Sequence, residues 1–134
     1  MAIQLSVAVR NGRLDAIETA VGTSPVLGVR TGVAPTNCAA ADSGAVLSII
    51  ALPSDWMAAA ANGVKTMTGT WQDAAADATG TAAHFRLYAS NGTTCHLQGT
   101  VTAPGGGGDL PVDHVSFAPG QPCTVPGYSL TAHN

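Results

Sequence analysis

The side chains able to do chemistry are few and scattered. Four histidines stand at His84, His96, His114 and His133, three cysteines at Cys38, Cys95 and Cys123, and two close aspartates at Asp109 and Asp113. Paired carboxylates can divide acid and base work, but these two are i and i+4 in a segment that reads as strand, facing one way beside solvent loops. They read as turn acids. His84 and His96 fall on two arms of one hairpin, out of registry, so they cannot ligate a metal jointly without a third group. The cysteines form no CxxC pair, which argues against structural zinc. Cys95 and His96 are strand neighbours and point to opposite faces, so His96 is no activating base for that thiol. No GxSxG elbow, Walker loop or GxGxxG occurs. The four glycines at 105–108 precede neither Lys-Ser/Thr nor a helix that could cradle phosphate. The expectation is a chain with no catalytic residues, no metal and no cofactor.

Composition agrees. A chain of 134 residues is 46% hydrophobic but only 10% charged, against about 25% charged in a typical soluble domain. The net charge of −3 leaves no basic stripe, which excludes a nucleic-acid binder working by phosphate neutralisation. So few charges also leave little to keep a monomer's surface wet, and the chain suits life inside an assembly. The opening residues 1–5 carry no basic region, and Arg10 and Arg13 interrupt any apolar core, so no signal peptide is expected. No run approaches the ~18 apolar residues of a membrane span, so no membrane partner is expected.

The elements that must position these groups fall into two classes. Ile3, Val7, Leu14, Ile17 and Val21 recur at helical spacing, and Gly22 is a natural C-cap, so residues 3–20 read as one amphipathic helix. Such a helix is marginal alone in water and needs a partner surface, either its own domain or a neighbouring subunit. From Pro25 onward the punctuation is that of a β protein. Strands are expected at 26–30, 45–52, 65–71, 110–117 and 123–130, the last with a bulge at Gly127, and Ser54 caps a turn or two of helix. The clearest piece is the hairpin 83–102 around Asn91-Gly92. Its alternation requires a three-residue loop that sets Leu87 opposite Leu97 and Tyr88 opposite His96. His84, Arg86, Tyr88, His96 and Gln98 then form one outward polar ladder. Arg and Tyr are interface residues, so replacing Arg86 and Tyr88 by Ala is expected to weaken assembly and leave melting nearly unchanged. Trp56 and Trp71 read as core or interface anchors. The whole is expected to be mainly β: a single antiparallel, jelly-roll-like β-sandwich at 23–134, preceded by an N-terminal helical segment at 1–22.

Several stretches resemble a family of small virion proteins of tailed bacteriophages. They are Val7-Ala8-Val9-Arg10-Asn11-Gly12-Arg13-Leu14-Asp15-Ala16-Ile17, the segment Ala76-Asp77-Ala78-Thr79-Gly80-Thr81-Ala82-Ala83-His84-Phe85-Arg86-Leu87-Tyr88, the hairpin 90–101, and the end from Gly108-Asp109-Leu110 to Tyr128-Ser129-Leu130-Thr131. The likeness covers most of the chain in composition and order, without a catalytic motif. It implies a structural, non-enzymatic protein of the virion, made in the bacterial host cytoplasm. It would be a capsid decoration (cement) protein, often trimeric, that contacts copies of itself and the major capsid protein; the alternative is a neck or tail component. A remote third reading is a small carbohydrate-binding sandwich, for which Tyr88 alone is a poor platform. The contact residues would be Ile3, Val7, Leu14 and Ile17 on the helix and His84, Arg86, Tyr88, His96 and Gln98 on the ladder. Virions pass from a reducing to an oxidising medium. Cys38 lies in a loop where it can swing to meet a partner, so Cys38 and Cys95 pair, or all three thiols stay free, or another arrangement forms, such as a bridge between the strand residues Cys95 and Cys123.

Overall fold

In a computed structural model, residues 2–133 are described. Helix α1 (Val7–Val21) starts where Ser6 caps it: the Ser6 hydroxyl accepts from the Val9 N–H at 3.2 Å. Gly22 closes it by donating its N–H to the Glu18 carbonyl at 2.9 Å. Because the cap sits at residue 6, Ile3 lies outside the helix rather than on its stripe. Leu14 and Val21 are buried and Ile17 half-buried against the chain's own β body, whereas Val7 is exposed.

Polar groups on the inner face of α1 complete the docking. Asn11 Oδ1 accepts from the Gly63 N–H at 2.8 Å, and Asp15 Oδ1 from the Ala60 N–H at 3.0 Å. The ammonium of Lys65, only 1% exposed, lies 2.7 Å from Asp15 and 2.6 Å from Glu18 and donates to the Ala58 carbonyl at 2.9 Å. A buried charge is tolerated only when paired in this way.

The β body is built from β1 (Val26–Arg30), β2 (Val46–Ala51), β3 (Val64–Thr66), β4 (Trp71–Asp73), β5 (Gly80–Thr81), β6 (His84–Tyr88), β7 (Cys95–Thr102), β8 (Leu110–Pro111), β9 (Ser116–Phe117), β10 (Cys123–Val125) and β11 (Ser129–Thr131). The main sheet runs β2-β1-β6-β7-β8. Its first three pairings are antiparallel and β7/β8 is parallel, so the sheet is mixed and curled rather than wholly antiparallel. The protein is mainly β with one N-terminal helix.

The hairpin puts Leu87 opposite Leu97, and Gly92 takes φ +73° in its turn. A bulge between Leu87 and Tyr88 then sets Tyr88 opposite Cys95, correcting the expected Tyr88–His96 pair. Two expected strands are each broken in the middle. The 65–71 and 123–130 segments form one interrupted ribbon: β3 pairs β11, β4 pairs β10, and the Met67 N–H reaches the Tyr128 carbonyl at 3.0 Å between them. Gly69, at φ +70° over the Pro53 ring, makes the bend. The 110–117 segment likewise splits, β8 joining β7 and β9 joining β5. No helix follows Ser54. Met57 bridges Met67 and the Ala58 N–H donates to the Thr66 carbonyl at 2.8 Å, because an extended path buries Trp56 and Met57 where a helical turn would not. Helix propensity in the alanines at 58–61 yields to that packing. One core runs through the body, threaded by the rings of Trp56, Trp71, Tyr128 and Phe85 at successive centroid distances of 6.1, 5.6 and 6.2 Å.

Candidate functional site

The polar ladder is present but not outward. All five residues of β6 are buried, with His84 and Arg86 each 1% exposed and Tyr88 2%. Gln98 and His96 are half-buried. The cover is the loop 31–45 between β1 and β2, folded back over the sheet. Arg86 Nη2 donates to the carbonyls of Asn37 (3.3 Å) and Cys38 (2.8 Å); Nη1 donates to the Ala40 carbonyl (3.1 Å) and to Asp42 Oδ1 (2.5 Å). Gln98 Nε2 donates to the Pro35 carbonyl at 2.6 Å, and His84 Nδ1 lies 2.7 Å from the Gly32 carbonyl. A solvated, exposed ladder is thereby corrected. The alternation placed these side chains on the face away from the core, but that face carries a second cover.

Asp42 is the hub. It accepts from the Tyr88 hydroxyl at 2.8 Å and pairs with Arg30 at 2.9 Å as well as with Arg86. Partial burial pushes its carboxyl upward, but hydrogen bonds from Tyr88 and Arg86 and the charge of Arg30 outweigh that and hold it below the usual carboxylate range. Burial, then the neighbouring Asp42, raises the Tyr88 phenol. Burial, then the adjoining Cys38 thiol, pushes the Cys95 thiol up to about 11. Among the described residues, Arg86 Nε, His84 Nε2 and Gln98 Oε1 find no hydrogen-bond partner. Sequence reasoning missed Asp42, although a signal existed. It is the sole acid between Glu18 and Asp55, and two arginines on adjacent strands lacked a counter-charge.

On the core side, two adjoining open cavities of about 470 and 390 Å³ share Asp109, Tyr128 and Ser129. Asp109 Oδ2 accepts from the Thr100 N–H (2.9 Å) and hydroxyl (3.0 Å), which fixes the carboxylate at the β7–β8 junction. Burial, then the charge of Asp109, pushes the Tyr128 phenol up to about 12, so it stays a neutral donor. Asp113 is elsewhere: it accepts from the Thr124 N–H at 3.2 Å and lies 2.9 Å from His114 Nδ1. The structure therefore does not bring the two aspartates together. Among the described residues no three His, Cys, Asp or Glu side chains gather in metal-binding geometry, and no helix is long and apolar enough to cross a membrane. This groove can hold a neutral, hydroxyl-bearing ligand through a carboxylate and a ring edge. Compared with known proteins, the chain matches no protein-family model, no curated protein and no solved structure.

Proposed function

We propose that this chain is a structural protein of a tailed-bacteriophage virion, a capsid decoration (cement) protein tying head subunits together. The observation that carries the reading is the apolar end of α1. Ile3, just before the helix, and Val7 and Val9 on its first turn are 84%, 42% and 49% exposed, while the rest of the helix is anchored to the body through Leu14 and Val21 and through Asn11, Asp15 and Glu18. A helix docked by Leu14, Val21 and polar contacts, whose N-terminal end and preceding residues turn apolar side chains outward, is suited to cover by a neighbour. The low charge density supports the same reading, since packing desolvates few ions. The five-stranded sheet and the interrupted ribbon would serve as the two layers of a sandwich-like body. Partners would be copies of the chain, as a trimer, and the major capsid protein, with no nucleic-acid or membrane contact.

The test is to quantify the chain against the major capsid protein in purified particles. Hundreds of copies per particle fit a decoration protein, a single ring's worth fits a neck or tail component, and absence from particles ends the virion reading. Changing Ile3, Val7 and Val9 together to Asp should abolish incorporation while the purified chain remains folded.

A second reading is favoured by the groove: a carbohydrate-binding module that takes a neutral sugar at Asp109 and Tyr128. Ser129→Trp would fill the groove, so loss of glycan binding without loss of incorporation would assign the groove to this role.

A further inference from the structure

The loop 31–45 delivers Cys38 to the place where Cys95 stands on β7. Arg86 Nη2 holds the Cys38 carbonyl at 2.8 Å, and Arg86 stands on β6, the strand that pairs with β7 beside Cys95. The Cys95 thiol, which also donates to the Leu97 carbonyl at 3.3 Å, has the Cys38 thiol as its neighbour. The loop is pinned on both sides of Cys38, by Gln98 at the Pro35 carbonyl and by Tyr88 and Arg86 at Asp42. Tyr88 is itself the cross-strand partner of Cys95. Two thiols therefore lie side by side at a joint whose backbone is hydrogen-bonded on each side of Cys38. All three cysteines are free thiols in this structure, and Cys123 is buried on β10, on the other ribbon.

We propose that Cys38 and Cys95 form a disulfide that ties the loop 31–45 to β7 once the protein meets an oxidising medium. This inference is independent of the virion reading. The oxidant is a low-molecular-weight disulfide such as oxidised glutathione. The half-exposed Cys38, as thiolate, attacks one sulfur of that disulfide, forming a mixed disulfide and releasing one small thiolate. Cys95 then gives up its proton to that thiolate through solvent and attacks the Cys38 sulfur, breaking the mixed bond and releasing the second small thiolate, which takes up the proton Cys38 lost. Two protein thiols and one small disulfide become one protein disulfide and two small thiols. Burial keeps Cys95 protonated, so Cys38 reacts first and Cys95 resolves.

The test uses the full chain, fully reduced and then equilibrated with oxidised glutathione. Denatured thiol titration should fall from three thiols to one, with intact mass lower by two hydrogens and no glutathione adduct. Peptide mapping after cleavage both between Cys38 and Cys95 and between Cys95 and Cys123 should join the Cys38 and Cys95 peptides. The oxidised form should melt about 10 °C higher than the reduced form, since the bridge closes a long segment. Cys123→Ser should keep the bridge. Cys38→Ser should remove it, leaving two thiols or a glutathione adduct on Cys95. Three free thiols after equilibration, a bridge that includes Cys123, or a bridge between two chains would overturn the proposal.

Discussion

Replacing Arg86 with Met removes the guanidinium that holds the loop 31–45 to the sheet while keeping an aliphatic stem of similar bulk. Three backbone carbonyls, at Asn37, Cys38 and Ala40, lose their Arg86 donor, and Asp42 Oδ1 is left with the Tyr88 hydroxyl alone. Hydrogen bonds to a charged group contribute about 1.5–3 kcal/mol each, so four would sum to roughly 6–12 kcal/mol if the loop stayed in place. It will not stay. Asp42 is already 41% exposed at its side chain, and the loop can lift and return its carbonyls to water, which caps the loss. Breaking a buried ion pair typically costs about 3–5 kcal/mol, and we expect about 4 kcal/mol for Arg86→Met. That is a large part of the roughly 5–15 kcal/mol of a whole domain. It reverses the expectation, drawn from an outward ladder, that substitution here leaves melting unchanged. Urea unfolding followed by tryptophan fluorescence reads it directly, because Trp56 and Trp71 both lie in the core. The slope of the transition should fall as well, since a native state with a lifted loop has less surface left to expose. Arg86→Lys should recover only part of the loss, because an ammonium cannot span the fork of carbonyls. A shift below about 0.5 kcal/mol for Arg86→Met, with unchanged slope, would refute the view that this guanidinium holds the loop.

Acid should act through Asp15 and Asp42. The Lys65 hydrogen bond and then the Ala60 N–H hold the Asp15 carboxyl below its ordinary value, and Asp42 is lowered too. Their contribution is full above the unfolded value of about 3.9 and is lost as pH falls through the folded values. Burial alone would lower the Lys65 ammonium, but Asp15 and Glu18 raise it, so its contribution persists below about 10.4 and is lost above. Urea midpoints should therefore be flat between about pH 5 and 9 and fall on both sides; a midpoint still flat at pH 3 contradicts this. Deleting residues 1–20 removes Leu14, Asp15 and Glu18 and strands Lys65, so thermal scans should show a drop of more than about 10 °C or an insoluble product. Unchanged melting would mean that α1 is dispensable to the body. At Gly99 an added Cβ would sit 2.8 Å from Asp109 Oδ2 and 2.9 Å from Phe85 Cε1, so Gly99→Ala should cost about 1–3 kcal/mol by chemical denaturation.

Local pattern was legible in the sequence wherever one residue's neighbours decide its state. The spacing from Leu14 to Val21 announced α1, and Asn91-Gly92 with its flanking alternation announced the hairpin and the Leu87–Leu97 register. The start of α1 was placed too early because the apolar series ran back to Ile3, past Ser6, whose hydroxyl stops it. Alternation says which side chains share a face but not what lies over that face. Thus His84, Arg86 and Tyr88 were grouped rightly and exposed wrongly: their cover comes from a loop more than forty residues upstream. The irregularity at Gly127 was expected, but the break at Gly69 was hidden for a related reason, and the pairing of the two broken arms was not foreseen. The break at Gly69 shows its purpose only against the other arm, where β3 meets β11 and β4 meets β10. The groove at Asp109 and Tyr128 was not legible, because its walls come from five separate parts of the chain.

Apart from the Asp42 carboxylate, the sheet's anchors on the loop 31–45 read backbone. His84, Gln98 and Arg86 grip the carbonyls of Gly32, Pro35, Asn37, Cys38 and Ala40, and Arg30 reaches those of Ser43 and Gly44. Carbonyl oxygens are the same whatever side chain the residue bears. The identities at positions 33, 34, 36, 39 and 41 are therefore nearly uncoupled from the fixing of the loop, and Val33 already projects into solvent at 88% exposure. Such a segment behaves as a variable cassette on an invariant mount. Libraries randomised at those five positions should retain the wild-type fold in most members, which makes the loop a site for grafting recognition peptides onto this scaffold.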